Sequence, residues 1–129
     1  MNIEDMLQIV DTFQRDTHGI CHSDLRPERQ MEYMRRYCLA LAMEQAELLN
    51  LLPWKPWGYC KTDNTFDQKE ATKEWCDCLI FLLDQALCLK LSPSGIVATF
   101  QEIILTKTRV QKRQWIKQDE NDKTKGPTI

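Results

Sequence analysis

Two pairs of carboxylates, Glu44 with Glu47 and Glu74 with Asp77, stand three residues apart inside apolar sequence. The first pair lies in the run Leu39-Ala40-Leu41-Ala42-Met43-Glu44-Gln45-Ala46-Glu47-Leu48-Leu49, the second in Glu74-Trp75-Cys76-Asp77-Cys78-Leu79-Ile80-Phe81-Leu82-Leu83. On a helix, that spacing puts both members of a pair on one side. Glu44 then falls in the stripe of Tyr37, Leu41, Leu48 and Leu51 that should face other helices, and Glu74 and Asp77 line up with Phe81 and Asp84. A lone acidic pair is ordinarily a solvated face, but two such pairs, each in apolar surroundings on neighbouring helices, point inward. Four carboxylates in one place repel one another, and desolvation penalises their ionised form, so a cation should join them. A hard divalent ion such as Mg²⁺ takes oxygen ligands in near-octahedral geometry and keeps room for waters and phosphate oxygens. The set therefore predicts Mg²⁺ and phosphate chemistry. A di-iron bundle also uses inward carboxylates, but it needs a histidine three residues after a glutamate on two helices, and neither His18 nor His22 is so placed. His18, Cys21 and His22 form a ligand-rich patch without a paired cluster downstream, and Cys76 and Cys78 miss a zinc-ribbon spacing, which disfavours zinc.

The elements that must carry these residues are helices. Apolar residues Ile3, Met6, Leu7, Ile9, Val10 and Phe13 predict a first helix from Asn2 to about Asp16, followed by a loop over His18 to Arg26. A second helix begins at Pro27, a residue suited to a first turn, and runs to the stop at Pro53. Pro53 to Asn64 lacks any sustained period and reads as an aromatic-rich connection. Thr65 with Gln68 resembles a capping box that starts a third helix continuing to about Leu91. Ser92 and Pro93 read as the cap and first turn of a fourth, which carries Ile96, Val97, Phe100, Ile103, Ile104 and Val110 towards Trp115. The fold class expected is all-α, four main helices in a bundle, with residues 1–118 as a single domain and 119–129 as a flexible polar tail.

Composition sets limits on the function. The chain has 129 residues, enough for one domain with a real core, and only 4 glycines and 5 prolines, too few for a sandwich of many short strands. A net charge of −2 argues against a protein that coats nucleic acid. The longest apolar run, Cys78 to Leu91, is interrupted by Asp84 and is too short to span a bilayer, so no membrane partner is expected. Six cysteines, four within apolar helical stretches, read as reduced, and the expected compartment is the cytoplasm. Charge is unevenly spread: residues 1–105 hold 10 basic and 16 acidic residues, whereas 106–129 hold 7 basic and 3 acidic, a net of +4. Lys107, Arg109, Lys112 and Arg113 could thus meet phosphate charge, or simply form a solvated cationic face. Trp54 or Trp57 could stack on a pyrimidine while Lys55 reaches a phosphate; equally, paired tryptophans in a loop plug the end of a helical core.

The pattern Glu44-x-x-Glu47, followed after 26 residues by Glu74-x-x-Asp77, resembles the ExxE…ExxD signature of the all-α nucleoside triphosphate pyrophosphatase superfamily, which includes MazG-like proteins and dimeric dUTPases. Leu39-Ala40-Leu41, Glu47-Leu48-Leu49-Asn50 and Pro53-Trp54-Lys55-Pro56-Trp57 are similar to the dimeric dUTPase branch, and the resemblance covers roughly residues 30 to 115. It implies hydrolysis of a nucleoside triphosphate to the monophosphate and pyrophosphate, with dUTP the first choice and dCTP or a broad range of dNTPs next. It also implies two or three Mg²⁺ ions, with Mn²⁺ as a substitute, held by Glu44, Glu47, Glu74 and Asp77. Such ions screen the triphosphate and lower the pKa of a water aligned for in-line attack on phosphorus. By the same resemblance Glu44 accepts the water's proton, Gln14 matches an amide that contacts uracil, and the Lys107 to Arg113 region matches a cationic cluster that in the family includes an Asn absent here. A homodimer is implied as well. The reading from another class is a helical interaction module that has kept the fold without catalysis.

Overall fold

A computed structural model of the chain describes residues 1–55 and 65–125. Two compact units divide it, Met1–Leu91 and Ser92–Ile129. The first contains α1 (Ile3–His18), a 3₁₀ turn (His22–Asp24), α2 (Pro27–Asn50) and α3 (Gln68–Cys88); the second contains α4 (Pro93–Thr124). The all-α, four-helix expectation therefore holds, and no strand occurs among the described residues. Among them, too, no single helix is long and apolar enough to cross a membrane.

Local chemistry explains where each helix starts and stops. Asn2 Oδ1 accepts from the Asp5 backbone N–H at 2.9 Å while Asp5 Oδ2 accepts from the Asn2 N–H at 3.0 Å, a reciprocal box that satisfies two amides of the first turn. At the other end Gly19 adopts φ 66°, and the amides of Gly19 and Ile20 donate back to the carbonyls of Arg15 and Gln14. This left-handed glycine lets α1 run to His18, past the Asp16 limit that apolar spacing suggested. The following loop holds the 3₁₀ turn, which carries His22 back inside. Pro27 opens α2 as expected. Asp67, not Thr65, caps α3: its Oδ1 accepts from the amides of Lys69 at 3.0 Å and Glu70 at 3.2 Å. A carboxylate directly before the first turn both satisfies those amides and complements the helix dipole, which a threonine two residues earlier cannot do. α3 ends at Cys88, short of Leu91, because Lys90 enters the left-handed region at φ 57° and the Leu91 amide turns back to the Ala86 carbonyl.

Ser92 caps α4 as predicted, its Oγ accepting from the Gly95 amide at 3.0 Å; a Cβ on residue 95 would meet that oxygen at 2.8 Å, so the cap needs a glycine there. The helix continues beyond Trp115 to Thr124, so residues 119–124, expected in the polar tail, are helical. Lys117, Gln118 and Glu120 are good helix formers with no glycine or proline among them, and hydrophobic periodicity does not register a helix that is polar all round.

In the first unit α2 and α3 pack antiparallel with a repeat of seven residues on both. Gln30 Nε2 donates to the Cys88 carbonyl at 2.7 Å and the Cys88 thiol to the Gln30 carbonyl at 3.2 Å. Seven residues on, the rings of Tyr37 and Phe81 lie 6.5 Å apart, and seven further on Glu44 meets Glu74. This register alone brings the two acidic pairs together. α1 packs against α3 and buries Leu7, Val10 and Gln14, completing a core with Tyr37, Cys78, Leu83, Ala86 and Cys88.

Candidate metal centre

Glu44 on α2 and Glu74 and Asp77 on α3 each bring a carboxylate oxygen into a group whose members all lie within 4.8 Å of one another. Glu47, one turn after Glu44, is close enough to both Glu44 and Glu74 for its charge to act on them. All four acidic residues singled out by spacing are thus neighbours. Burial is the largest cause holding the Glu44 and Glu74 carboxyls above the usual range; the charge of Glu47 comes next, followed by the other acids of the cluster. Glu44 Oε2 and Glu74 Oε2 are buried without a hydrogen-bond partner. Buried carboxylate oxygens facing like charges and lacking donors fit a hard divalent cation, since it supplies both the missing partner and the missing positive charge.

The remaining candidates lie elsewhere. Gln14 is buried on α1, where its Nε2 donates to Asp84 Oδ1 at 3.0 Å and its Oε1 accepts from His18 Nδ1 at 3.1 Å. Trp54 follows α2, its Nε1 donating to Asn50 Oδ1 at 3.3 Å, and Lys55 Nζ sits 5.3 Å from the centre of its ring. Trp57 falls outside the described residues. Lys107 and Arg113 are exposed on α4, where helical phase sets Arg113 with Arg109 and Lys112 and leaves Lys107 about half a turn away. Of the ligand-rich patch, His18 binds Gln14, Cys21 Sγ lies 3.2 Å from Ser23 Oγ, and His22 Nε2 lies 2.7 Å from the Tyr37 hydroxyl.

A second polar cluster was not singled out by spacing. Asp84 is fully buried, with Oδ2 unpartnered, and burial pushes its carboxyl up to about 6. His22 is 1% exposed, and burial lowers its imidazole below the usual range just as it raises the Tyr37 hydroxyl. The available signal was Asp84 itself, a charge in the middle of the longest apolar run and seven residues after Asp77.

Fold and site together define a class: an all-α protein in which two packed helices gather carboxylates for a cation, Glu44 and Glu74 half-buried and Glu47 and Asp77 exposed rather than pointing inward as expected. The chain belongs to the dUTPase family, whose family model, described as dUTPase, matches residues 2–124. It is therefore a dUTP diphosphatase-like nucleotide hydrolase, consistent with the all-α nucleoside triphosphate pyrophosphatase superfamily, and divalent metal use is general to such enzymes. Comparison with curated proteins and with solved structures gave no match.

Proposed function

We propose that the protein is a Mg²⁺-dependent dUTP pyrophosphohydrolase that converts dUTP and water to dUMP and pyrophosphate. The observation that carries this reading is the convergence of Glu44, Glu74 and Asp77, with Glu47 beside them, in a chain of the dUTPase family. Glu44, Glu47, Glu74 and Asp77 would hold the metal. When bound, Mg²⁺ supplies charge neutralisation of the triphosphate and a more acidic water. The chain's own residues do the rest. Glu44 accepts the proton as water attacks the α-phosphorus and the bridging oxygen leaves with pyrophosphate. Gln14 reads the base, and Lys55, which follows the opposite end of α2 beside Trp54, meets phosphate.

Arg113, on the face it shares with Arg109 and Lys112, counters the charge of the leaving pyrophosphate, and Lys107, about half a turn away, stays outside that face. Replacing Arg113 by Ala is then expected to raise KM or lower kcat for dUTP by about tenfold, the scale of one charge-assisted contact; steady-state kinetics equal to those of the parent would leave it on a solvated face.

Residues 1–118 act as the catalytic domain in this reading, with 119–129 a polar extension. A homodimer is supported by apolar side chains left on the surface, Leu39 at 67% and Met43 at 61% exposure on α2 and Trp75 at 56% on α3, which a second copy would cover. The unpaired cysteines Cys21, Cys38, Cys76, Cys78 and Cys88, all those among the described residues, support a reducing compartment such as the cytoplasm. The test is incubation of the pure protein with each dNTP and Mg²⁺, reading pyrophosphate. Release from dUTP in preference to dCTP, dATP, dGTP and dTTP is expected; release from none would leave a non-catalytic helical module.

A further inference from the structure

We infer that Asp84 and His18 together lock the carboxamide of Gln14 in one orientation, and that this lock makes the enzyme prefer uracil to cytosine. The inference rests on the proposed role of Gln14 at the base. Asp84 lies on α3 seven residues beyond Asp77, about 10 Å along the helix axis from the acidic centre. That is the order of reach from a nucleotide's phosphate to its base. Phe81 lies between, and Tyr37 stands at the same level on α2.

At this level Gln14 is held from both ends. Ionised Asp84 has only lone pairs to offer, so the atom of Gln14 that faces Oδ1 at 3.0 Å must be the donor Nε2. Oε1 has no proton, so the His18 Nδ1 at 3.1 Å must carry one and donate it. The Asp84 contact excludes the flipped amide, because a flip would place Oε1 against a carboxylate, and the His18 contact adds the cost of moving its ring proton off Nδ1. The second N–H of Nε2 and the second lone pair of Oε1 stay uncommitted, a donor and an acceptor side by side in a fixed sense. Uracil presents an N3–H donor next to carbonyl acceptors, whereas cytosine presents an N3 acceptor next to an amino donor. A carboxamide free to flip satisfies either base; a locked one satisfies one and leaves the other facing like groups. The lock also accounts for a fully buried carboxylate with one oxygen unpartnered, a group that packing alone would have replaced with an apolar side chain.

Asp84→Asn tests this, because asparagine offers Gln14 a donor as well as an acceptor and so releases the lock while keeping the shape. kcat and KM are measured for dUTP and dCTP, and binding of dUMP and dCMP by calorimetry, in the parent, in D84N and in H18A. In D84N the uracil preference is expected to fall by about tenfold or more, through KM rather than kcat, in both turnover and binding. In H18A, a change at an exposed side chain that keeps the fold even should D84N fail to fold, the preference falls in the same direction by about fivefold. An unchanged preference in the folded variants, an equal loss for both bases, or a parent that binds dUMP and dCMP alike overturns the inference. A parent that hydrolyses no dNTP removes the proposed activity instead, and the dUMP to dCMP binding ratio still decides the role of Asp84.

Discussion

Glu47→Ala or Asp77→Ala is expected to cut dUTP turnover by about 10³-fold or more, since losing a carboxylate from a catalytic cation site forfeits several kcal/mol of transition-state stabilisation. The same variants should be at least as stable as the parent when stripped of metal. Glu44 and Glu74 are held above the ordinary carboxylate range by burial and then by the charge of Glu47, so deleting a neighbouring carboxylate relieves repulsion. The two readouts together separate the site from the scaffold. A residue needed for packing loses activity and melting temperature in parallel, whereas a residue that tolerates repulsion for function loses activity alone. Turnover close to the parent's in either variant would remove that residue from the metal set.

Asp84→Asn is expected to stabilise the protein at neutral and alkaline pH by up to about 3 kcal/mol. Burial is the leading cause that moves the Asp84 carboxyl from 3.8 to about 6, opposed by the hydrogen bond from Gln14, and a shift of that size corresponds to about 3 kcal/mol. The folded chain binds this proton more tightly than the unfolded chain does. Its contribution is therefore fully present below pH 3.8 and is lost as pH rises through about 6. Asparagine keeps an acceptor for Gln14 and has no charge to desolvate. Urea titrations across pH should show a variant-minus-parent difference near zero at about pH 4 that grows and levels off above about pH 7. A difference independent of pH would mean that Asp84 does not change its ionisation on folding.

The acidic pairs, the four helices, the first-turn Pro27 of α2 and the Ser92 cap of α4 were legible in the sequence because each is a local pattern, set by neighbours within one or two turns. Features that depend on packing partners were not. The left-handed closures at Gly19 and Lys90 move helix ends by a few residues, and the Asp67 cap displaces the Thr65 expectation because hydrogen-bond geometry, not residue type alone, selects among nearby polar side chains. The polar end of α4 carries no apolar stripe for periodicity to find. Asp84 stands 70 residues from Gln14 in the chain, and only the seating of α1 on α3 reveals that it forms one hydrogen-bonded group with Gln14 and His18. Juxtaposition of the two acidic pairs likewise depended on the register of α2 against α3, which the seven-residue spacing shared by Gln30, Tyr37 and Glu44 permits but does not by itself impose.

Calorimetric titration of Mg²⁺ into the metal-free protein, in parallel with Glu44→Ala/Glu74→Ala, addresses the acidic centre most directly. Saturable binding to the parent that the double variant lacks, with both proteins folded by circular dichroism, is the predicted result. Equal binding by the two, or none by the parent with dUMP and pyrophosphate present, would contradict a cation site built by these carboxylates.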